Sequence, residues 1–224
     1  MRNDQALPPR TSGQATSRPS ETHEPLVTIV DDDAAVRQAL EELLASAGYE
    51  TAAFASTREL LETDILARPG CLILDVRMPG SSGLDLQNQL VRDGNPKPVI
   101  FLTGHGDIPM TVQAMKGGAV DFLTKPVRDQ TLLDAVVAAI ALDEQRRMEA
   151  LVARRNIERL ATLTPREREV LDFVARGRVN KQIAFDLGIS EVTVKLHRGN
   201  VMRKMEVASL GELIRAWQTL PHST

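Results

Sequence analysis

Residues 27–33 read VTIVDDD, and this stretch decides the fold, because a short apolar run ends there in a cluster of carboxylates. Two further apolar runs also end in a charge: CLIL at 71–74 leads into Asp75, and VDFLT at 120–124 leads into Lys125. Each run has the length of one buried strand of a parallel sheet. The pattern therefore predicts an open α/β sheet with its charges at the carboxyl edge, where such sheets bind ligands.

The charges at this edge suit a divalent cation and a phosphoryl group. Two carboxylates about 4 Å apart repel by roughly 4 kcal/mol at an effective dielectric constant near 20, so a set of three predicts a bound cation. Mg²⁺ is the expected ion, held by Asp31, Asp32 and Asp75. The Asp75 carboxylate can then act as a nucleophile and form an aspartyl phosphate. Lys125 can pair with phosphoryl oxygens, and Thr103, which ends another apolar run, adds a hydroxyl.

Four segments resemble the motifs of bacterial response-regulator receiver domains: IVDDD, LILDVRMPG, VIFLTGHGD and DFLTKP. The resemblance implies an α/β fold, the doubly wound five-stranded parallel sheet of flavodoxin-like receivers. It implies that a sensor histidine kinase phosphorylates Asp75 with Mg²⁺ as cofactor. The implied residues are the metal ligands Asp31, Asp32, Asp75 and the backbone carbonyl of Arg77, and the switch residues Thr103, Phe122 and Lys125. It also implies a cis peptide bond between Lys125 and Pro126.

Composition and charge favour a cytoplasmic protein with no membrane association. Its 224 residues suggest about two domains. The longest apolar runs fall short of the roughly 18 residues that a membrane span needs, and no signal-peptide region opens the chain. Residues 24–142 contain 17 acidic and 9 basic side chains, whereas residues 151–224 contain 8 and 13. This asymmetry favours a metal or phosphate site joined to a nucleic-acid reader. The single cysteine, Cys71, is expected to be a buried core thiol.

The chain divides into four predicted parts. Residues 1–24 are rich in Pro, Ser and Thr and are expected to be a disordered tail. The receiver domain is assigned to 25–142, a helical linker to 143–160, and an all-α domain to 161–224. Neither Gly nor Pro occurs from Val127 to Thr164, so one helix about 48 Å long could run through the linker. Charged residues at 144–147 interrupt the apolar seam of this helix. The sequence therefore does not decide between a continuous and a broken linker helix.

The last part has the pattern of a helix-turn-helix. Thr164-Pro165-Arg166-Glu167 predicts a capping box at a helix start. Asn180 is expected to cap the next helix, which ends in the glycine turn at 187–189. Ser190 is expected to cap a third helix that runs to about Met205. Two helices around a glycine turn, with basic residues on the second, are typical of DNA-binding units.

The third of these helices has a predicted core face and a predicted outward face. Val194, Val201 and Met205 are expected in the core. Thr193, Lys195 and Leu196, near the helix start, are expected to reach base edges in the major groove. The side chains better placed for phosphates are Lys181, Arg198, Arg203 and Lys204. A solvated basic face is the alternative interpretation, and the helix alone does not separate the two.

Residues 163–205 are similar throughout to the LuxR-type four-helix DNA-binding domain, and HRGNVMRKM at 197–205 looks most like the FixJ subgroup. The resemblance implies a fourth, dimer-forming helix at about 209–219, and a third helix that enters the major groove. His197 matches a common family position, where packing and phosphate contact both stay open. The resemblance implies Lys195 and Leu196 as readers, and the full predicted DNA-contact set is Asn180, Lys181, Thr193, Lys195, Leu196, His197, Arg198, Arg203 and Lys204. Gly199 stands where some relatives have a basic residue.

Together these features predict a two-component transcription factor and not a metabolic enzyme. Its expected partners are a sensor histidine kinase, double-stranded promoter DNA, RNA polymerase and, on phosphorylation, a second copy of the chain. One alternative is a Mg²⁺-dependent phosphohydrolase, but that class needs an acidic residue two positions after the nucleophile, where this chain has Arg77. A second alternative is an interaction protein whose last domain binds protein or RNA.

Overall fold

Five strands alternate with helices in the first half of the chain, and helices alone follow. The structure is a computed structural model that describes residues 24–80, 82–104 and 106–219, so the tail expected at 1–24 lies outside it except for Glu24. The strands are β1 Leu26–Val30, β2 Glu50–Phe54, β3 Gly70–Leu74, β4 Val99–Thr103 and β5 Asp121–Thr124. The helices are α1 Ala34–Ser46, α2 Thr57–Leu61, α3 Gly83–Arg92, α4 Ile108–Lys116, α5 Asp129–Ala161, α6 Pro165–Ala175, α7 Asn180–Leu187, α8 Glu191–Lys204 and α9 Leu210–Gln218.

All five strands pair in parallel, in the order β2-β1-β3-β4-β5. The predicted doubly wound sheet is therefore confirmed. Strands β1, β3 and β4 are buried along their whole length, which explains why they read as unbroken apolar runs. The chain leaves β1 toward β2 on one side and β3 toward β4 on the other, so a crevice opens at the carboxyl ends of β1 and β3.

Helix α5 is continuous over 33 residues, which makes it about 50 Å long. This settles the question that the sequence left open in favour of an unbroken linker helix. Its first part packs on the sheet through the buried Leu132, Val136 and Ala139. Beyond residue 147 it presents several exposed apolar side chains to solvent: Met148, Leu151, Val152 and Ile157.

A polar network joins α5 to the amino edge of the sheet, and we call it the edge network. Asp143 is buried, and its Oδ2 accepts hydrogen bonds from Arg147 Nε at 2.6 Å and from the backbone N of Gly70 at 2.8 Å. Arg147 and the buried Lys97 both donate to the backbone carbonyl of Arg68, at 2.7 and 2.6 Å. Arg147, one of the charged residues that interrupt the apolar seam of the linker, thus also binds the receiver edge.

Burial shifts the pKa of Lys97 in the edge network and of Cys71, the residue after Gly70. Desolvation lowers the pKa of Lys97 to about 8, although the charge of Asp143 opposes this shift. Desolvation raises the pKa of the Cys71 thiol to about 12. Cys71 is fully buried in β3, as predicted, and is therefore a neutral core residue at physiological pH.

Helices α6 to α9 enclose a separate core of eleven buried residues: Leu163, Val170, Leu171, Val174, Ile183, Ala184, Val194, Val201, Met205, Leu213 and Ala216. The predicted capping box is present, because the Thr164 hydroxyl accepts from the Glu167 backbone N–H and Glu167 Oε2 accepts from the Thr164 N–H. The Ser190 hydroxyl caps α8, as expected. Gly188 ends α7 with φ +63°, a left-handed conformation that glycine adopts without strain.

The prediction that Asn180 caps α7 is wrong. Val179 occupies the cap position, and its backbone N–H donates to Gln182 Oε1 at 3.1 Å, so a side chain from inside the helix covers this end. Asn180 is the first residue of the helix, and its Oδ1 accepts from Arg198 Nη1 at 2.6 Å. The amide of Asn180 therefore connects α7 to α8 across the helix-turn-helix.

Candidate functional site

Two neighbouring strands bring the predicted carboxylates together. Val30 and Leu74 are register partners at the ends of β1 and β3, and Asp31 and Asp75 follow them directly. Asp31 and Asp75 are 2% and 8% exposed, whereas Asp32 is exposed. One carboxylate oxygen from each of these three residues lies within 4.8 Å of the others. Three hard oxygen donors at this spacing are the chemistry that Mg²⁺ prefers.

Lys125 forms ion pairs with two of these carboxylates. Among the described residues it is the only cationic side chain that the structure shows bonded to them. Its Nζ lies 2.5 Å from Asp31 Oδ2 and 3.1 Å from Asp75 Oδ2. Desolvation alone would lower the pKa of Lys125, but its hydrogen bonds to Asp31 and Asp75, together with their charges, raise the pKa above the usual value. The ammonium therefore stays charged and balances part of the carboxylate repulsion.

The backbone around the carboxylates fixes their position. The Asp75 N–H donates to the Val30 carbonyl at 2.9 Å, which continues the pairing of the two strands by one residue. The Arg77 N–H donates to Asp75 Oδ1 at 3.2 Å, while the Arg77 side chain is exposed. Arg37 Nη1 donates to the Asp31 carbonyl at 2.6 Å. The motif pattern alone did not reveal this contact between Arg37 on α1 and Asp31.

Gly83, at the start of α3, is a second residue that sequence reasoning did not select. A Cβ atom at this position would lie 2.3 Å from the backbone oxygen of Asp75 and 2.8 Å from Cγ of Leu74. Only glycine lets α3 approach the end of β3 this closely. Gly83 is therefore part of what positions Asp75.

The proposed switch residues Thr103 and Phe122 lie on β4 and β5, the two strands that follow β3 in the sheet. Thr103 ends β4 and is 1% exposed. Phe122 in β5 is half-buried, and its ring centroid lies 6.1 Å from that of Phe101. A Cβ at Gly106 would lie 2.9 Å from Phe122 Cε1, so the loop after β4 passes close to this ring. The Lys125–Pro126 bond is cis, as the motif resemblance implied.

The second candidate site is the outer surface of the helix-turn-helix. Lys181 on α7 is exposed, as are Lys195, Leu196 and Arg203 on α8. Thr193 is half-buried, and its hydroxyl lies 2.8 Å from the hydroxyl of the capping residue Ser190. The exposed residues lie opposite Val194, Val201 and Met205, which face the core as predicted.

The structure revises the expectation for Lys204. Its Nζ donates to Glu167 Oε2 at 2.6 Å and to the Thr162 carbonyl at 3.2 Å, so the ammonium binds α6 instead of facing outward. The hydrogen bond from Lys204 is also the main reason that the pKa of Glu167 lies below its usual value. His197 is half-buried, and its Nδ1 is buried without a hydrogen-bond partner among the described residues, which favours packing over phosphate contact.

The comparisons with known proteins identify both domains. The family model for the response regulator receiver domain matches residues 27–137, and the model for bacterial regulatory proteins of the luxR family matches residues 161–217. Nodulation protein W of Bradyrhizobium diazoefficiens is 54% identical over 196 residues, which are 87% of this chain and 86% of that protein.

A second relative and a solved structure support the same assignment. The transcriptional regulatory protein FixJ of Azorhizobium caulinodans is 47% identical over 191 residues, 84% of this chain and 90% of the relative. The structure of the response regulator StyR matches with a TM-score of 0.74 and 46% identity, over 88% of this chain and 99% of that one. The chain therefore belongs to the FixJ-like response regulators of two-component systems. It is a transcriptional regulator in which a receiver domain is joined to a LuxR-type DNA-binding domain.

None of the helices in the described part of the chain has both the length and the apolar character that a membrane span requires.

Proposed function

We propose that a sensor histidine kinase phosphorylates Asp75, and that the phosphorylated protein pairs as a homodimer, binds promoter DNA and acts on RNA polymerase in the cytoplasm. The proposal assigns reception of the phosphoryl group to residues 25–142, coupling to 143–160 and DNA binding to 161–224. The observation that supports it best is the position of Asp75, which is bonded to the Lys125 ammonium and lies beside the other two carboxylates.

The donor set fits a resident Mg²⁺. Asp31, Asp32 and Asp75 would hold the ion together with the backbone carbonyl of Arg77, and their three negative charges exceed the one positive charge of Lys125. When bound, Mg²⁺ supplies charge neutralisation for phosphoryl oxygens that approach the carboxylates.

The chain's own residues account for the transfer. A carboxylate oxygen of Asp75 attacks the phosphorus of a phosphohistidine, the P–N bond breaks, and the imidazole nitrogen retains the electron pair. Lys125, already 3.1 Å from Asp75 Oδ2, pairs with the incoming phosphoryl oxygens as a mobile point charge. Burial of Asp75 limits the access of bulk water to this carboxylate, which strengthens its charge interactions.

We propose that the receivers pair through α4, β5 and the start of α5. Ile108 is 81% exposed, and Val112 and Met115 on the same helix are each 45% exposed. The proposed switch is a movement of Thr103 toward the phosphoryl group, which lets the Phe122 ring rotate inward and changes this face. A shift from 1:99 to 99:1 in favour of the active state requires about 5.5 kcal/mol from phosphorylation.

The phosphorylation proposal is tested by incubating the protein with acetyl phosphate, with and without Mg²⁺, and measuring intact mass. Wild type is expected to gain one phosphoryl group only with Mg²⁺, and Asp75→Asn none. Asp33→Asn is the matched control, because Asp33 is an adjacent carboxylate that caps α1 and Asn preserves a cap. Phosphate uptake by Asp75→Asn at the wild-type rate would contradict the assignment.

The pairing proposal has its own test. Light scattering with beryllofluoride is expected to show a dimer for wild type and a monomer for Val112→Glu. Val91→Glu is the control, since Val91 is 61% exposed but lies on α3. If the mass stays that of a monomer while DNA affinity rises, release of the DNA-binding domain is the switch and pairing is not.

A further inference from the structure

The outward face of the first half of α8 is mostly apolar. Val192, Lys195, Leu196 and Gly199 follow one another at helical spacing and form a single exposed stripe. Val192 is 76% exposed and Leu196 is 63% exposed, and their i, i+4 spacing puts them side by side. Of the four positions on this stripe, Lys195 alone has a side chain that can form hydrogen bonds.

Three polar side chains of α8 already have partners within the domain, which leaves Val192 and Leu196 as the main candidates for base contact. Thr193 is half-buried beside Ser190, Arg198 is bonded to Asn180, and Lys204 is bonded to Glu167. A Cβ atom added at Gly199 would meet nothing within 4 Å, so the stripe is open at this position. In the first two turns of this helix, exposed polar side chains are therefore limited to Glu191 and Lys195, and the exposed Arg203 lies near the other end.

The major groove offers one apolar group, the C5-methyl of thymine, while the other base edges present hydrogen-bond donors and acceptors. We infer that Val192 and Leu196 together read the methyl groups of thymines in the operator, and that Val192 is a specificity-determining residue. The inference rests on the proposed DNA-binding role of α8 and deepens it, because it names the chemical group that the helix recognises. It places thymines at two neighbouring positions of each half-site.

The test removes the methyl group without changing the base pairing. The full-length protein with beryllofluoride selects duplexes from a random-sequence library, and the best duplex is resynthesised with each thymine replaced in turn by deoxyuridine. Wild type is expected to lose about fourfold in affinity at each of two positions per half-site, which corresponds to one buried methyl group. Fluorescence anisotropy gives the dissociation constants.

The variants assign each methyl to one side chain. For Val192→Ala, replacing the thymine at one of the two positions by deoxyuridine is expected to leave the affinity unchanged. For Leu196→Ala, the same is expected at the neighbouring position. Both residues are largely exposed, so the variants keep the fold. Val91→Ala, an exposed valine on α3, is the matched control and is expected to keep the wild-type discrimination at both positions.

Two results would overturn the inference, and they differ in what they say about DNA binding. If wild type binds all deoxyuridine duplexes as tightly as the thymine duplex, methyl readout is wrong while the DNA-binding role stands. If Val192→Ala keeps the full wild-type discrimination, Val192 is not a reader. Failure to select any duplex would overturn the DNA-binding role and the readout together.

Discussion

The carboxylate of Asp143 accepts a hydrogen bond from the backbone N–H of Gly70 at 2.8 Å, across 73 residues of sequence. This bond ties the long helix α5 to the first residue of β3. Gly70 begins β3 and Asp75 directly follows its last residue, so the bond lies at the opposite end of the sheet from Asp75. The receiver therefore holds the linker helix at a point remote from the phosphorylation site.

Loss of this carboxylate is expected to destabilise the fold. Asp143→Ala leaves the buried Gly70 N–H without a partner and removes one partner of Arg147, which is 37% exposed, so the expected cost is about 1–3 kcal/mol. Urea unfolding measures the change in the free energy of unfolding. Asp134→Ala, an exposed carboxylate on the same helix, is expected to change it by less than about 0.5 kcal/mol. Equal effects of the two substitutions would show that the edge network is unimportant for stability.

Lys97 is expected to give stability a distinct pH dependence. Its pKa is about 8 when folded and 10.5 as the ordinary value, so the unfolded chain binds more protons than the folded protein between these pH values. Stability contributed by this group therefore rises with pH through that window, by up to about 1.4 kcal/mol per pH unit. The measurement is the difference in unfolding free energy between wild type and Lys97→Met from pH 8 to 10.5. The shared Cys71 titration largely cancels in that difference, and a flat line would contradict the shift.

Gly83→Ala is expected to damage the phosphorylation site. The added methyl would meet the Asp75 backbone at 2.3 Å, and such overpacking costs about 1–3 kcal/mol. Displacement of Asp75 is expected to slow phosphate uptake from acetyl phosphate by roughly tenfold or more. Gly104→Ala is the control, because nothing lies within 4 Å of its added Cβ. A wild-type rate in Gly83→Ala would show that Asp75 tolerates the shift.

Lys125→Met is expected to make the fold more dependent on a divalent cation. Without the ammonium, Asp31, Asp32 and Asp75 repel one another, so the melting temperature in a chelator is expected to fall. Added Mg²⁺ is expected to raise it more in the variant than in wild type, because the cation no longer competes with a fixed positive charge. Lys116→Met, an exposed lysine at the end of α4, provides the control. An equal Mg²⁺ shift in all three proteins would contradict this electrostatic account.

Much of the sheet could be predicted from sequence because its signals are local. The strands were visible as apolar runs, and the rule that parallel strands bring their carboxyl ends to one edge was enough to bring Asp31, Asp75 and Lys125 together. Helix starts such as those capped by Thr164 and Ser190 were also predictable, because a capping side chain bonds within its own first turn.

The contacts that sequence reasoning missed join distant segments or involve backbone atoms. Arg147 and Lys97 bind a backbone carbonyl, which every residue has, so no side-chain pattern reports the partner. Gly83 is selected by the space beside Asp75, which appears only when α3 is packed. The ion pair of Lys204 was missed for a related reason: its partner Glu167 was interpreted only as a capping residue, but it also accepts a hydrogen bond from Lys204 across 37 residues.

The unbroken α5 gives the two halves of the protein a common axis, and this has a consequence for linker length. Each added residue turns whatever follows by about 100° and moves it by about 1.5 Å. Inserting one residue after Met148 therefore swings the DNA-binding half to a different azimuth, whereas inserting seven returns it to within about 20° of its original direction. Spacers that arise in evolution or engineering should accordingly be accepted in steps of about two helical turns, and regulation should follow angular phase more closely than distance.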